Sequence, residues 1–141
     1  MKQDGFTLVE MLLVLSISLI ILSISVFPAG NLMTHLLEKQ SLDQLKIDIM
    51  YLQAEAITTN QESTLLLDGN QDSYSGKSTK TELSRKFTPT LHFQEKSEQL
   101  FRFSPPFGNI SKFKTIIIQG HNKKYALIFQ IGKGRFRIDE I

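Results

Sequence analysis

A single carboxylate, Glu10, stands inside an apolar run of 22 residues, positions 6–27, that holds no other charge. A carboxylate in a bilayer costs about 2.5–3.5 kcal/mol on insertion scales, less near the interface, and such residues are functional by default. Its chemistry there is pairing with a cation. The other candidates are weaker. His35, His92 and His121 are far apart, with no H-E-x-x-H pattern and no cysteine to complete a metal site. Gly132-Lys133-Gly134 is too short for a phosphate loop and reads as a hairpin turn, and no G-x-S-x-G nucleophile motif occurs. No cofactor and no enzymatic activity are expected.

The C-terminal region offers a second kind of chemistry. Between residues 112 and 137 lie Lys112, Lys114, Lys123, Lys124, Lys133, Arg135 and Arg137, with no acid among them. Phe113, Tyr125, Phe129 and Phe136 are interleaved. Basic side chains suffice for phosphate contact, and aromatics beside them can stack on single-stranded bases. Strand alternation puts Phe129 and Phe136 in the core, so the pattern favours weak, salt-sensitive contact with a DNA backbone over stacking. A solvated basic face or a subunit interface explains the same charges.

These residues need elements to hold them. As a helix the run 6–27 would span roughly 33 Å, enough to cross a hydrocarbon core. Ahead of it stand only Met1 to Gly5, with Lys2 as the basic side chain, a flank that keeps the N-terminus cytoplasmic and sends the rest outward. A cleaved signal peptide with its site near Ser23-x-Ser25 and a plain anchor are the competing readings, and neither accounts for Glu10. Pro28 interrupts the run and predicts a kink. Beyond it Leu42, Leu45, Ile49, Leu52 and Ala56 form one stripe of an amphipathic helix ending near residues 58–61. Glu38, Lys39, Asp43, Lys46, Asp48 and Glu55 fit its solvated face.

After the helix the period becomes that of strands. Residues 63–68 run into a Gly-Asn turn, 75–89 read as a polar loop with at most a short strand, and TLHFQ and QLFRF alternate as strands. KTIIIQ, KYALIFQI and RFRIDE are the clearest strands, Phe136 and Ile138 facing opposite to Arg135 and Arg137. The expected fold is α+β: a long N-terminal helix, membrane-spanning in its first half, packed by its C-terminal half on a small antiparallel β-sheet. The composition, 41% hydrophobic and 21% charged, excludes a disordered chain and a multi-span membrane protein. Residues 1–62 hold three Lys/Arg against seven Asp/Glu and residues 63–141 thirteen against seven, which points to an anionic partner for the latter.

GFTLVE, with the long apolar run after it, resembles the N-terminal motif of type IV pilins and pseudopilins. The resemblance implies a leader of residues 1–5 cut by a prepilin peptidase between Gly5 and Phe6, and N-methylation of Phe6. It makes Glu10 the family glutamate of filament assembly. Physically, an ammonium at Phe6 and the Glu10 carboxylate are each costly alone in apolar surroundings and far less so together. LLLDG, FRFSPPFGN, TIIIQ and IGKGRFRI resemble the minor pilins of Gram-positive competence systems, the ComGD type. The organisation implied is leader 1–5, transmembrane and filament-core segment 6–27, helical continuation 28–61 and extracytoplasmic sheet domain 62–141. The implied partners are other pilin subunits, the prepilin peptidase and the assembly-platform protein of the inner membrane. The chain would be single-pass in the membrane before assembly and at the cell surface in a pilus afterwards, supporting DNA uptake. A DNA receptor at the pilus and a pseudopilin of a type II-like secretion system are the alternatives.

Overall fold

The computed structural model describes residues 7–26, 29–130 and 134–141. Two compact units emerge, Met1–His35 and Leu36–Ile141. The first holds helix α1, Leu8–Val26, and the start of helix α2, Ala29–Thr59. Pro28, where a kink was expected, lies outside the described residues.

Thr7 starts α1. Its hydroxyl accepts the Glu10 N–H at 3.3 Å and its carbonyl accepts the Met11 N–H at 3.2 Å, an N-cap that satisfies a free donor of the first turn. Four serines interrupt the apolar sequence of α1, and three of them have a partner for the hydroxyl within the helix. Ser16, Ser18 and Ser23 donate to the carbonyls of Leu12, Val14 and Leu19 at 2.8–2.9 Å. That arrangement lets serine sit in an apolar environment. Every described side chain of α1 is exposed. At about 1.5 Å per residue its 19 residues cover roughly 28 Å, and Phe6 and Phe27, the ends of the expected span, lie outside the described residues. Among the described residues no helix is long and apolar enough to cross a membrane.

In the second unit the remainder of α2 packs on a β-structure of nine strands among the described residues. They are β1 Ser63–Asp68, β2 Ser73–Lys77, β3 Glu82–Lys86, β4 His92–Phe93, β5 Glu98–Ser104, β6 Asn109–Ile110, β7 Lys114–Gln119, β8 Lys124–Phe129 and β9 Phe136–Glu140. The expected α+β architecture holds, but the strands divide between two antiparallel sheets. One has the order β3-β2-β1-β5-β6, the other β4-β7-β8-β9. The division follows from β1 pairing with β5, Leu65 opposite Phe101, across a long connection. The hairpin β7–β8 meanwhile recruits β9 and the short β4.

The expected helical stripe is the core. Leu45, Ile49, Leu52 and Ala56 are fully buried with Leu65, Leu91, Phe101, Phe103, Ile118, Leu127 and Phe129. Phe101 and Phe129, one from each sheet, stack at 4.1 Å between ring centroids. Gly76 on β2 admits α2, since a Cβ there would meet Leu52 Cδ1 at 2.6 Å. The helix ends at Thr59 because Asn60 takes a left-handed conformation, φ 51°, suited to a C-cap.

The polar segment 75–89 is a correction to the sequence reading. It contributes the end of β2 and all of β3, a hairpin in register from Ser73 opposite Lys86 to Lys77 opposite Glu82. TLHFQ, by contrast, yields the two-residue β4. The Phe93 N–H donates to the Asp72 carboxylate at 2.8 Å instead of to a strand neighbour.

Candidate assembly and interaction surfaces

Gly5 and Phe6, the expected cleavage and methylation positions, lie outside the described residues. Glu10 sits in the first turn of α1. Thr7-x-x-Glu10 has the spacing of a capping box, and an acid in the first turn interacts favourably with the helix dipole, worth about 0.3–1 kcal/mol. The structure thus gives Glu10 a local role that sequence reasoning missed, although the T-x-x-E signature was legible.

The acids assigned to the solvated face of α2 require a second correction. Lys39, Asp43 and Lys46 are exposed as expected, but Glu38, Asp48 and Glu55 are buried. Each is buried because it has partners from distant sequence. Asp48 accepts hydrogen bonds from Gln44 Nε2 at 2.9 Å, the Tyr74 hydroxyl at 2.7 Å and Arg85 Nε at 2.6 Å. Glu38 accepts the backbone N–H of His121 at 2.7 Å, and Glu55 accepts the Ser78 hydroxyl at 2.6 Å. Burial, then the neighbouring Asp48 carboxylate, pushes the Tyr74 hydroxyl far above its ordinary pKa. These three carboxylates tie α2 to β2, β3 and the β7–β8 turn. They are structural clamps.

Asp72 is a fourth tie, between the β1–β2 turn and the segment around β4. It lies 2.9 Å from His92 Nδ1 and accepts from Lys96 Nζ at 2.9 Å and from the Phe93 N–H. Burial raises its pKa, but the hydrogen bonds from Lys96, His92 and Phe93 outweigh it and hold the carboxyl below its ordinary value of 3.8. A depressed folded pKa contributes stability that is present above that ordinary value and lost as pH falls through the folded one. Asp72→Asn should therefore lower the thermal midpoint at neutral pH and flatten its decline below about pH 4. Thermal unfolding of both proteins across pH 2–7 checks this.

The basic residues of the C-terminal region do not form one free patch. Lys114 pairs with Glu95 at 2.8 Å, Lys123 with Glu140 at 2.7 Å and Arg137 with Asp139 at 2.8 Å. Lys112 donates to Gln99 Oε1 at 3.2 Å and lies 4.9 Å from the centroid of the Phe101 ring. Lys133 lies outside the described residues. Lys124 and Arg135 are exposed, with no acidic partner among the described residues. The acids that neutralise the run come from β9 and from Glu95, so the acid-free stretch of sequence was misleading about charge in space. Tyr125 and Phe129 are buried, Phe136 is half-buried, and Phe113 is exposed. The alternation expected on β9 is present, with Arg135 and Arg137 exposed and Phe136 and Ile138 packed against the core.

Among the described residues no group of histidine, aspartate or glutamate side chains is arranged to hold a metal ion. Residues 1–26 match the family model of the prokaryotic N-terminal methylation motif. No curated protein and no solved structure matches the chain.

Proposed function

We propose that the chain is a pilin-like subunit cut between Gly5 and Phe6, methylated at Phe6, and assembled through its N-terminal helix into a competence-type pilus. It is there a minor component that supports DNA uptake. The methylation motif over residues 1–26 carries this reading. It supports a type IV pilin-like chain, and with it a structural subunit that is first membrane-anchored and then assembled with other pilins. The α1 helix is compatible in its physics: its described side chains are exposed, apolar but for Glu10 and the serines, and those serines are internally satisfied. The prepilin peptidase and an assembly-platform membrane protein follow as partners. The competence refinement rests on the resemblance of the C-terminal segments, and neighbouring genes for DNA uptake rather than protein secretion would separate the two machines.

Direct DNA contact would fall to Lys124 and Arg135 with Phe113, because the other described cations of the run are engaged within the domain. The filament role needs no such contact.

The mature chain should begin at N-methylated Phe6. Mass spectrometry of the N-terminal peptide from the assembled fraction checks it. A start at Ile24 or Val26, near the serine pair, would assign the segment to a cleaved signal peptide and sink the reading.

A further inference from the structure

Helix α2 carries two apolar stripes, and the core uses one. Ile47, Met50, Ala54 and Ile57 advance by 3, 4 and 3 residues along the side opposite the buried stripe, and all are exposed, Ile47 by 58% and Met50 by 50%. A helix packed on one side has no use for a second apolar stripe. Positive charge rims this one. Lys39 and Lys46 are exposed on the same helix, and Arg135 joins Met50, Gln53 and Phe136 around a groove of about 440 Å³. None of these three cations has an ion-pair partner among the described residues, and Asp43 is the acid that interrupts the rim.

The far side of the same unit carries the complementary pattern. The sheet of β1, β2, β3, β5 and β6 turns Leu65, Leu67 and Phe101 to the core, and the alternate residues point away from it. On that outer face Asp68 stands directly opposite Glu98, and Leu66 directly opposite Leu100. Like charges directly opposite on paired strands repel. Asp68 Oδ1 accepts the N–H groups of Asn70 and Gln71, but neither carboxylate pairs with a cation among the described residues. Lys86 stands on the same row two strands from Asp68, roughly 9–10 Å away by strand spacing. Among the described residues no cation therefore relieves the repulsion, which stands next to the half-buried Leu66 and the exposed Leu100.

We propose that the outer stripe of α2 is covered by the outer face of this sheet in a second copy of the chain. Leu66 and Leu100 lie on the stripe, and the lysine rim stands over Asp68 and Glu98. The two patches differ and lie on opposite sides of the unit, so the contact is heterologous and leaves a free patch at each end. Its open repetition rests on the filament-subunit reading; the contact itself is tested separately.

The chain contains no cysteine, so introduced pairs report without background. The full chain carrying Met50→Cys and Leu100→Cys, expressed in its own membrane and mildly oxidised, should give a ladder of dimers and higher species. Either single variant should give at least tenfold less dimer. Glu98→Lys in the paired background should lower cross-linking at least fivefold, and adding Lys46→Glu should restore it. No ladder, equal dimer from Met50→Cys alone, adducts only with a different polypeptide, or indifference to charge reversal would each overturn the proposal. The N-terminus of the same sample keeps the two readings apart. Methylated Phe6 without a ladder removes the contact and leaves the filament subunit, whereas a ladder with an uncut leader does the opposite.

Discussion

Asp48→Ala should destabilise the Leu36–Ile141 unit by about 2–4 kcal/mol, seen as a fall in the thermal midpoint of the full chain in detergent. The magnitude follows from what is stranded. Tyr74 is 2% exposed and its hydroxyl donates a hydrogen bond to the Asp48 carboxylate at 2.7 Å. A hydrogen bond to a charged group contributes about 1.5–3 kcal/mol, and a buried donor left alone forfeits it. Arg85 adds less despite a 2.6 Å contact, because its side chain is 48% exposed and water replaces the partner; exposed pairs contribute about 0.2–1 kcal/mol. Tyr74→Phe should therefore reproduce most of the loss, and Arg85→Lys little of it. The double variant Asp48→Leu with Tyr74→Phe should lose less than the two single changes combined, since removing both partners of the buried pair strands neither of them, and the half-exposed Arg85 turns to water. If Arg85→Lys proved as damaging as Asp48→Ala, the ion pair rather than the tyrosine would be the clamp.

That clamp also marks where sequence reasoning stops. Leu42, Leu45, Ile49, Leu52 and Ala56 were legible as one helical face because the 3.6-residue period belongs to a single local element. The strands Ser63–Asp68 and Lys114–Gln119 were legible to the residue for the same kind of reason, a short β-prone apolar run closed by turn residues. The β2–β3 hairpin was not. Its outward positions are Ser73, Ser75, Lys77, Glu82, Ser84 and Lys86, and its inward ones include Gly76 and Arg85, so no apolar alternation announces it. What holds it in place is distant: Leu52 against Gly76, and Asp48 on Arg85 and Tyr74. The buried acids of α2 were illegible from the same cause. A carboxylate on a helix reads as solvated until a tyrosine 26 residues later or a backbone N–H 83 residues later is brought to it. The outer stripe was a different omission. Ile47, Met50, Ala54 and Ile57 were as periodic as the core stripe, but assigning one face to the core left the second without an evident use.

Replacing Glu10 should reduce incorporation into filaments at least tenfold while leaving the chain in the membrane and cut at Phe6. The alternative role is local: Thr7 caps α1 by accepting the Glu10 N–H, and the Glu10 carboxylate stands in the first turn, at the positive end of the helix dipole. The two roles part at Glu10→Gln. Glutamine fills the fourth position of a capping box nearly as well as glutamate, so a purely local role predicts near-normal assembly for Gln and a mild loss for Ala. A role in neutralising another subunit's amino terminus needs the negative charge, so Gln and Ala should fail alike. Insertion cannot account for such a failure. Both substitutions remove a carboxylate that costs about 2.5–3.5 kcal/mol at the centre of a bilayer, so they enter it more readily than the wild type. Comparing sheared filaments with the membrane fraction for wild type, Glu10→Ala and Glu10→Gln separates the cases. Normal filament incorporation of Glu10→Gln would leave the acid as a helix cap and remove it from assembly.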